Sequence, residues 1–364
     1  MNAVPDSNPF LLALRDPSSL IELDDKAWQG LLDIARHNGL LAKLAAILEG
    51  RGILSRIPAK ARTLLEESHV FALHNQKNIF FEVNRLVRAL SQFDMPIILL
   101  KGGAYLMADL PPARGRFMSD LDIMVPRDKI VSVEQALLAA GWQRARLAEY
   151  DERYYREWMH EIPPIWHPER RVVVDIHHTI VPVTSRYKPN TEALFSDAVE
   201  LENPLLKVLC PTDMVLHSAV HLFNDEFRSG LRELIDIHQL LEHFGKDNQF
   251  WTDLLDRAHL HGLGRTLFYL LRYSSRLLGT WIPDDVQEFA RDGSPRTIIR
   301  VLMDALIVPA LSPASTKGMK RLRAFAVWLL YVRSHWLRMP PLLLAAHLIR
   351  KAFRRLTPKD KTEP

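Results

Sequence analysis

Ile97-Ile98-Leu99-Leu100-Lys101-Gly102-Gly103-Ala104, followed downstream by Ser119-Asp120-Leu121-Asp122-Ile123-Met124-Val125, is the stretch on which the fold turns. Its first part is a short, continuous apolar run that ends in Lys-Gly-Gly and reads as a buried strand. Ala104 to Asp109 then predicts the start of a helix, which Pro111-Pro112 stop. In the second part Leu121, Ile123 and Val125 alternate with Asp120, Asp122 and Met124, the period of a strand, and Pro126 ends it. Residues 128–140 are helical by period, with Gly141 at their end. Beyond Pro163, Pro164 and Pro168, Val172-Val173-Val174-Asp175-Ile176-His177 is a further β-prone run.

Two residues apart on a strand, the carboxylates of Asp120 and Asp122 project to one side. Like charges so placed repel unless a cation sits between them. Magnesium suits such a pair, because it is hard, octahedral and uses one or two carboxylates plus phosphate oxygens. Taken alone, the pair fits a solvated edge strand equally well. Asp175, flanked by Val174 and Ile176, is expensive to bury without a partner, and a third carboxylate beside the first two completes a metal-plus-base or two-metal site. Upstream, Gly102-Gly103 lets backbone amides approach an anion at a helix start. Lys101 is either a phosphate contact or a surface charge at a strand end. Arg116 either contacts phosphate or clamps Asp120 or Asp122. Ser119 fits a cap or turn, and His177, on the same face as Asp175, fits a supporting or substrate-facing role. In this order the parts suit a nucleoside triphosphate held with a metal.

The flanks are helical. Trp28, Leu31, Leu32, Ile34, Ala35 and then Leu40 to Leu48 recur at spacings of three and four up to Gly50 and Gly52, and Pro58 opens a longer helix through Leu90. From Pro211 helix dominates again. The expected organisation is a helical region over 1–94, an α/β core over 95–205, a helical region over 206–356 and a frayed end at 357–364. His217 and His221 share a helix face; His-Ser-Ala-Val-His lacks the Glu of the metalloprotease motif, so packing is favoured over zinc. Arg232 and Asp236 read as a helix-surface pair in preference to cleft residues.

Composition bounds the class. Of 364 residues, 48% are hydrophobic and 25% charged, which excludes disordered, collagenous and coiled-coil chains. The net charge of +4 conceals a split: residues 314–364 hold 12 basic and 2 acidic residues, leaving the rest at −6. Uniform coating of nucleic acid is therefore disfavoured. Cys210 is the only cysteine, so no internal disulfide forms. With no secretory-type start and no apolar stretch of bilayer length, the expected location is cytoplasmic. The basic segment mixes Phe325, Trp328, Val332, Trp336 and Leu342 to Ile349 with Arg333, Arg338, Arg350, Lys351, Arg354 and Arg355. It fits packing on the acidic body, peripheral contact with an anionic membrane or, less well, nucleic acid.

The core also resembles a known family. Leu100-Lys101-Gly102-Gly103-Ala104, Arg116-Phe117-Met118-Ser119-Asp120-Leu121-Asp122-Ile123-Met124-Val125 and Val174-Asp175-Ile176-His177 are similar to the motifs of the bacterial uncharacterised nucleotidyltransferase family, within the polymerase β-like superfamily. The resemblance runs over about residues 20–245. It implies an α+β fold: a nucleotidyltransferase-type mixed sheet with helices, flanked by all-helical regions. It implies Asp120, Asp122 and Asp175 as metal-binding and catalytic carboxylates, with Mg²⁺ or Mn²⁺. Gly102 and Gly103 would form the triphosphate turn, with Lys101, Arg116 and Ser119 beside it. Gly103 stands where many superfamily members carry Ser. The implied reaction transfers a nucleoside monophosphate from a triphosphate, ATP foremost, to a hydroxyl or phosphate acceptor, with release of pyrophosphate. The alternatives are a non-catalytic nucleotide-binding module and toxin-like transfer to RNA or protein.

Overall fold

The computed structural model describes residues 9–224, 227, 229–313 and 317–345. The N-terminal region is helical, as its periodicity requires: α1 (Pro9–Arg15), α2 (Asp25–His37), α3 (Leu41–Gly50) and α4 (Ala59–Leu90). The Asp24 carboxylate caps α2 by accepting from Ala27 N–H. Gly39 and Gly52, at φ +65° and +67°, make the left-handed turns that follow α2 and α3. The long α4 reaches across to the core. Asn75 brackets the backbone of Met118, donating to its carbonyl at 2.9 Å and accepting from its N–H at 2.8 Å, and Gln76 donates to the Ala113 carbonyl. Glu82, buried, holds Arg170 through two hydrogen bonds.

The core follows as β1 (Ile97–Leu99), α5 (Lys101–Met107), β2 (Asp120–Met124), α6 (Ile130–Ala139), β3 (Gln143–Arg144), α7 (Glu149–Arg153), β4 (Ile165–Trp166), β5 (Val173–His177), α8 (Thr191–Ser196), β6 (Val199–Glu200) and β7 (Leu206–Val208). The seven strands lie in the order β3-β4-β5-β2-β1-β7-β6. β1 runs antiparallel to β2 and parallel to β7, while β2 runs parallel to β5, so the sheet is mixed and the fold is α+β. The two acid-bearing strands are central, with Leu121, Ile123, Val174 and Ile176 wholly buried.

Two features differ from the sequence expectations. Helix α5 starts at Lys101, not Ala104; glycine is a poor helix former, and here packing overrides propensity. The sheet also continues past residue 205 into β7, whose three residues pair with all of β1. The two-residue strands β3, β4 and β6 are too short to show alternation.

The remaining helices are α9 (Pro211–Asn224), α10 (Gly230–Phe244), α11 (Asn248–Leu260), α12 (Gly264–Tyr273), α13 (Asp284–Phe289), α14 (Thr297–Leu311) and α15 (Lys317–Arg338). One continuous set of buried apolar side chains runs from Phe10 to Leu330, so the helical flanks share a core with the sheet. Within α15, Ala326, Leu330 and Ser334 face inward, and Arg333 and Arg338 donate to the carbonyls of Phe223 and Asn224. That part of the basic segment packs on the body. Its residues from 346 onward, including the end expected to fray at 357–364, lie outside the described residues. Among the described residues no helix is long and apolar enough to cross a membrane.

Candidate active site

Most of the residues singled out by the sequence line a cleft of about 90 Å³ between α5, β2, α9 and α10; Asp175 and His177, on β5, do not line it. Lys101, Gly102, Arg116, Ser119, Asp120 and Asp122 all line it, joined by Tyr105, Ser218, His221, Arg232, Glu233 and Asp236. Gly103 does not reach the cleft. A Cβ there would stand 2.7 Å from Leu121 Cδ1, so this glycine lets α5 lie directly on β2. At Gly102 a Cβ would meet Met118 Cγ at 2.7 Å and Arg116 Nε at 3.0 Å. The pair therefore serves close packing, and Gly102 also brings the guanidinium of Arg116 against the first turn of α5. No side chain caps that turn.

The carboxylates have three different environments. Asp120 is partly exposed, and among the described residues its hydrogen bond comes from the Ser119 hydroxyl, which donates to it at 3.2 Å. Asp122 is buried; its Oδ1 accepts from Lys101 Nζ at 2.9 Å and pairs with His177 Nε2 at 3.0 Å. Burial opposes its ionisation, but Lys101 and His177 outweigh burial and hold its carboxyl well below the usual range. The same contact raises Lys101 against its own desolvation. Lys101 reaches Asp122 from a left-handed backbone, φ +45°, at the strand-to-helix corner. Asp175 stands directly beside Asp122 in the β2–β5 register. Burial, then the charges of Asp122 and Glu161, push its carboxyl up to about 7.

Asp120 and Asp122 share one face of β2, and Asp175 stands beside Asp122 on β5, its carboxyl raised by burial and then by its acidic neighbours. That chemistry fits a divalent cation, and Asp120, Asp122 and Asp175 are the residues that would hold it. His177 is 1% exposed and bonded to Asp122, so it stands behind the carboxylates.

The basic residues are arranged differently from expectation. Arg116 pairs with Asp236, not with Asp120 or Asp122. Asp236, buried at the cleft wall, does not pair with Arg232; its second cation is Lys43 from α3, whose Nζ stands 3.2 Å from Oδ1 at an angle too oblique for a hydrogen bond. Lys43 Nζ also donates to the Pro112 carbonyl at 2.6 Å. Arg232, one turn before Asp236, points into the cleft. Its Nε–H and that of Arg116 are buried with no hydrogen-bond partner among the described residues. His221 pairs with Glu233 at 3.1 Å, and among the described residues neither His217 nor His221 belongs to a three-ligand cluster.

The family comparison agrees with this geometry. Residues 24–279 match the model of the uncharacterised nucleotidyltransferase family, which takes in the cleft, the sheet and helices α2 to α12. The chain belongs to that family. No curated protein and no solved structure shows a significant match to the chain. Membership places it among the nucleotidyltransferases, consistent with a nucleoside triphosphate and an acceptor as substrates. Sequence reasoning missed the cleft roles of Arg232, Tyr105, Ser218 and Glu233. The available signal was Leu231-Arg232-Glu233-Leu234, adjacent charges inside an apolar helical run.

Proposed function

We propose that the protein is a metal-dependent nucleotidyltransferase that moves a nucleoside monophosphate from a triphosphate, ATP foremost, to a hydroxyl or phosphate acceptor. The observation that carries this reading is the pair of buried, unpartnered guanidinium N–H groups of Arg116 and Arg232 in a cleft also lined by Asp120 and Asp122. A buried donor without an acceptor is costly, and phosphate oxygens supply acceptors at such a place. Asp120, Asp122 and Asp175 would hold a divalent cation, which would supply charge neutralisation at the triphosphate. Arg232 and Arg116 orient the phosphates, with the uncapped first turn of α5 beside them. The acceptor oxygen attacks the α-phosphorus, the α–β phosphoanhydride bond breaks and pyrophosphate leaves. Asp175, beside Asp122 in the β2–β5 register, takes the acceptor's proton. His177 and Lys101 hold Asp122 in place.

Incubation with each triphosphate labelled on the α-phosphate, Mg²⁺ or Mn²⁺ and a cell extract as acceptor pool tests the reading. Label is expected on an acceptor, with equimolar pyrophosphate. Triphosphate binding without any transfer would favour a non-catalytic module instead. Transfer to macromolecules alone would favour RNA or protein as the acceptor. For Arg232→Gln, loss of a charged hydrogen bond to phosphate predicts triphosphate binding weaker by about ten- to a hundredfold in calorimetry. Binding unchanged in that variant removes Arg232 from the phosphate site.

We propose further that α15 contacts an anionic membrane surface from the cytoplasmic side. Leu322, Phe325, Trp328, Val332 and Trp336 form an exposed stripe at helical spacing, flanked by exposed Lys320 and Arg321. Full-length protein is expected to float with anionic vesicles at low salt. Trp328→Glu/Trp336→Glu is expected to abolish flotation while leaving triphosphate binding intact. Equal flotation of both proteins would sink the idea.

A further inference from the structure

A second group of metal-ligating side chains lies behind the carboxylates. The chain bends at Met159 and His160, then runs antiparallel to β5: Ile162 N–H donates to the Ile176 carbonyl, His178 N–H donates to the His160 carbonyl, and Glu161 bridges His177. This pairing brings His160 and Glu161 against His177. A ring nitrogen of each histidine and a carboxylate oxygen of Glu161 lie within 4.8 Å of one another. Glu161 Oε2 is 3.5 Å from His177 Nε2, and the two rings are 5.1 Å apart.

A second observation points to a ligand. The Nδ1 atoms of His160 and His177 are both buried without any hydrogen-bond partner, and His177 is 1% exposed. An orphaned nitrogen on each of two imidazoles that stand together with a carboxylate is expensive in a dry site and ordinary when a metal accepts the lone pair. We propose that His160, Glu161 and His177 form a separate site for a borderline first-row cation such as Zn²⁺. Two imidazoles and a carboxylate are softer than the all-oxygen set of Asp120, Asp122 and Asp175, so the two sites select different ions. Ligand bonds of about 2.0–2.2 Å require the three donors to close inward. With His177 ligating through its orphaned Nδ1, the Asp122 carboxylate on Nε2 serves as the outer partner that fixes the tautomer. Because His177 contacts both groups, occupancy of this site positions Asp122 for the transfer site.

The test needs no nucleotide, so its outcome is independent of the proposed activity. Untagged, chelator-stripped full-length protein is titrated with Zn²⁺ by calorimetry and with Co²⁺ by visible absorption. One ion per chain is expected, with Co²⁺ ligand-field bands. Glu161→Gln, at a partly exposed position, and His160→Gln are each expected to weaken binding at least tenfold with unchanged circular dichroism. Asp175→Asn is expected to keep it. Absence of saturable Zn²⁺ binding overturns the proposal, leaving Glu161 and His177 as an ion-pair network. So does binding that survives Glu161→Gln but is lost in Asp175→Asn, which would place the ion among the carboxylates.

Discussion

Asp120→Ala is expected to reduce nucleotidyl transfer by about three orders of magnitude, the equivalent of about 4 kcal/mol of transition-state stabilisation. Its thermal midpoint is expected to stay within about 1 °C of the parent, as for other surface changes. The two halves of this expectation have separate causes. Asp120 is partly exposed and its one hydrogen bond is to the adjacent Ser119, so the folded state hardly depends on it. As an outer member of the donor set it matters only when a cation and triphosphate are bound. Asp122→Ala is a less clean probe. It removes the partner of Lys101 and His177 and leaves their charges buried, so transfer and stability both fall. Paired measurements of initial rate and thermal midpoint on both variants separate the roles. Full transfer by folded Asp120→Ala would exclude Asp120 from the site.

Asp236→Ala is expected to destabilise the protein by about 3–5 kcal/mol in urea denaturation. Its carboxylate is 2% exposed and lies between Arg116, from the segment before β2, and Lys43, from α3. Without it, Arg116 is left charged and unpaired in a dry interior beside the amine of Lys43, whose proton affinity burial and the charges of Arg116 and Arg232 already hold well below that of a free lysine. Lys43→Met in the same chain removes that buried polar amine and is expected to restore part of the loss. Additive losses in the double variant would show that the two residues are not coupled.

The strands β1, β2 and β5 and the acids on them were legible because apolar and acidic residues alternate within a few positions, and that signal is local. The same local reasoning misread Arg232 and Asp236. Spacing of four placed them together on one helix face, yet Asp236 is drawn to Arg116, 120 residues away, while Arg232 turns into the cleft. Such a pairing leaves no periodic trace. The His160–Glu161 corner was invisible for a related reason: a bend, not a repeat, brings neighbouring side chains to one side. The extension of the sheet into β7 depends on a parallel partner far upstream, β1, which local patterning does not reveal.

Asn75 and Gln76 on α4 hold the segment before β2 from the N-terminal side, and α10 closes the cleft with Arg232 and Asp236 from the C-terminal side. During synthesis Arg116 and the sheet acids emerge well before α10, so a nascent chain carries them long before it has Arg232 or the Asp236 partner of Arg116. Termination anywhere ahead of α10 therefore leaves the cleft without one of its walls.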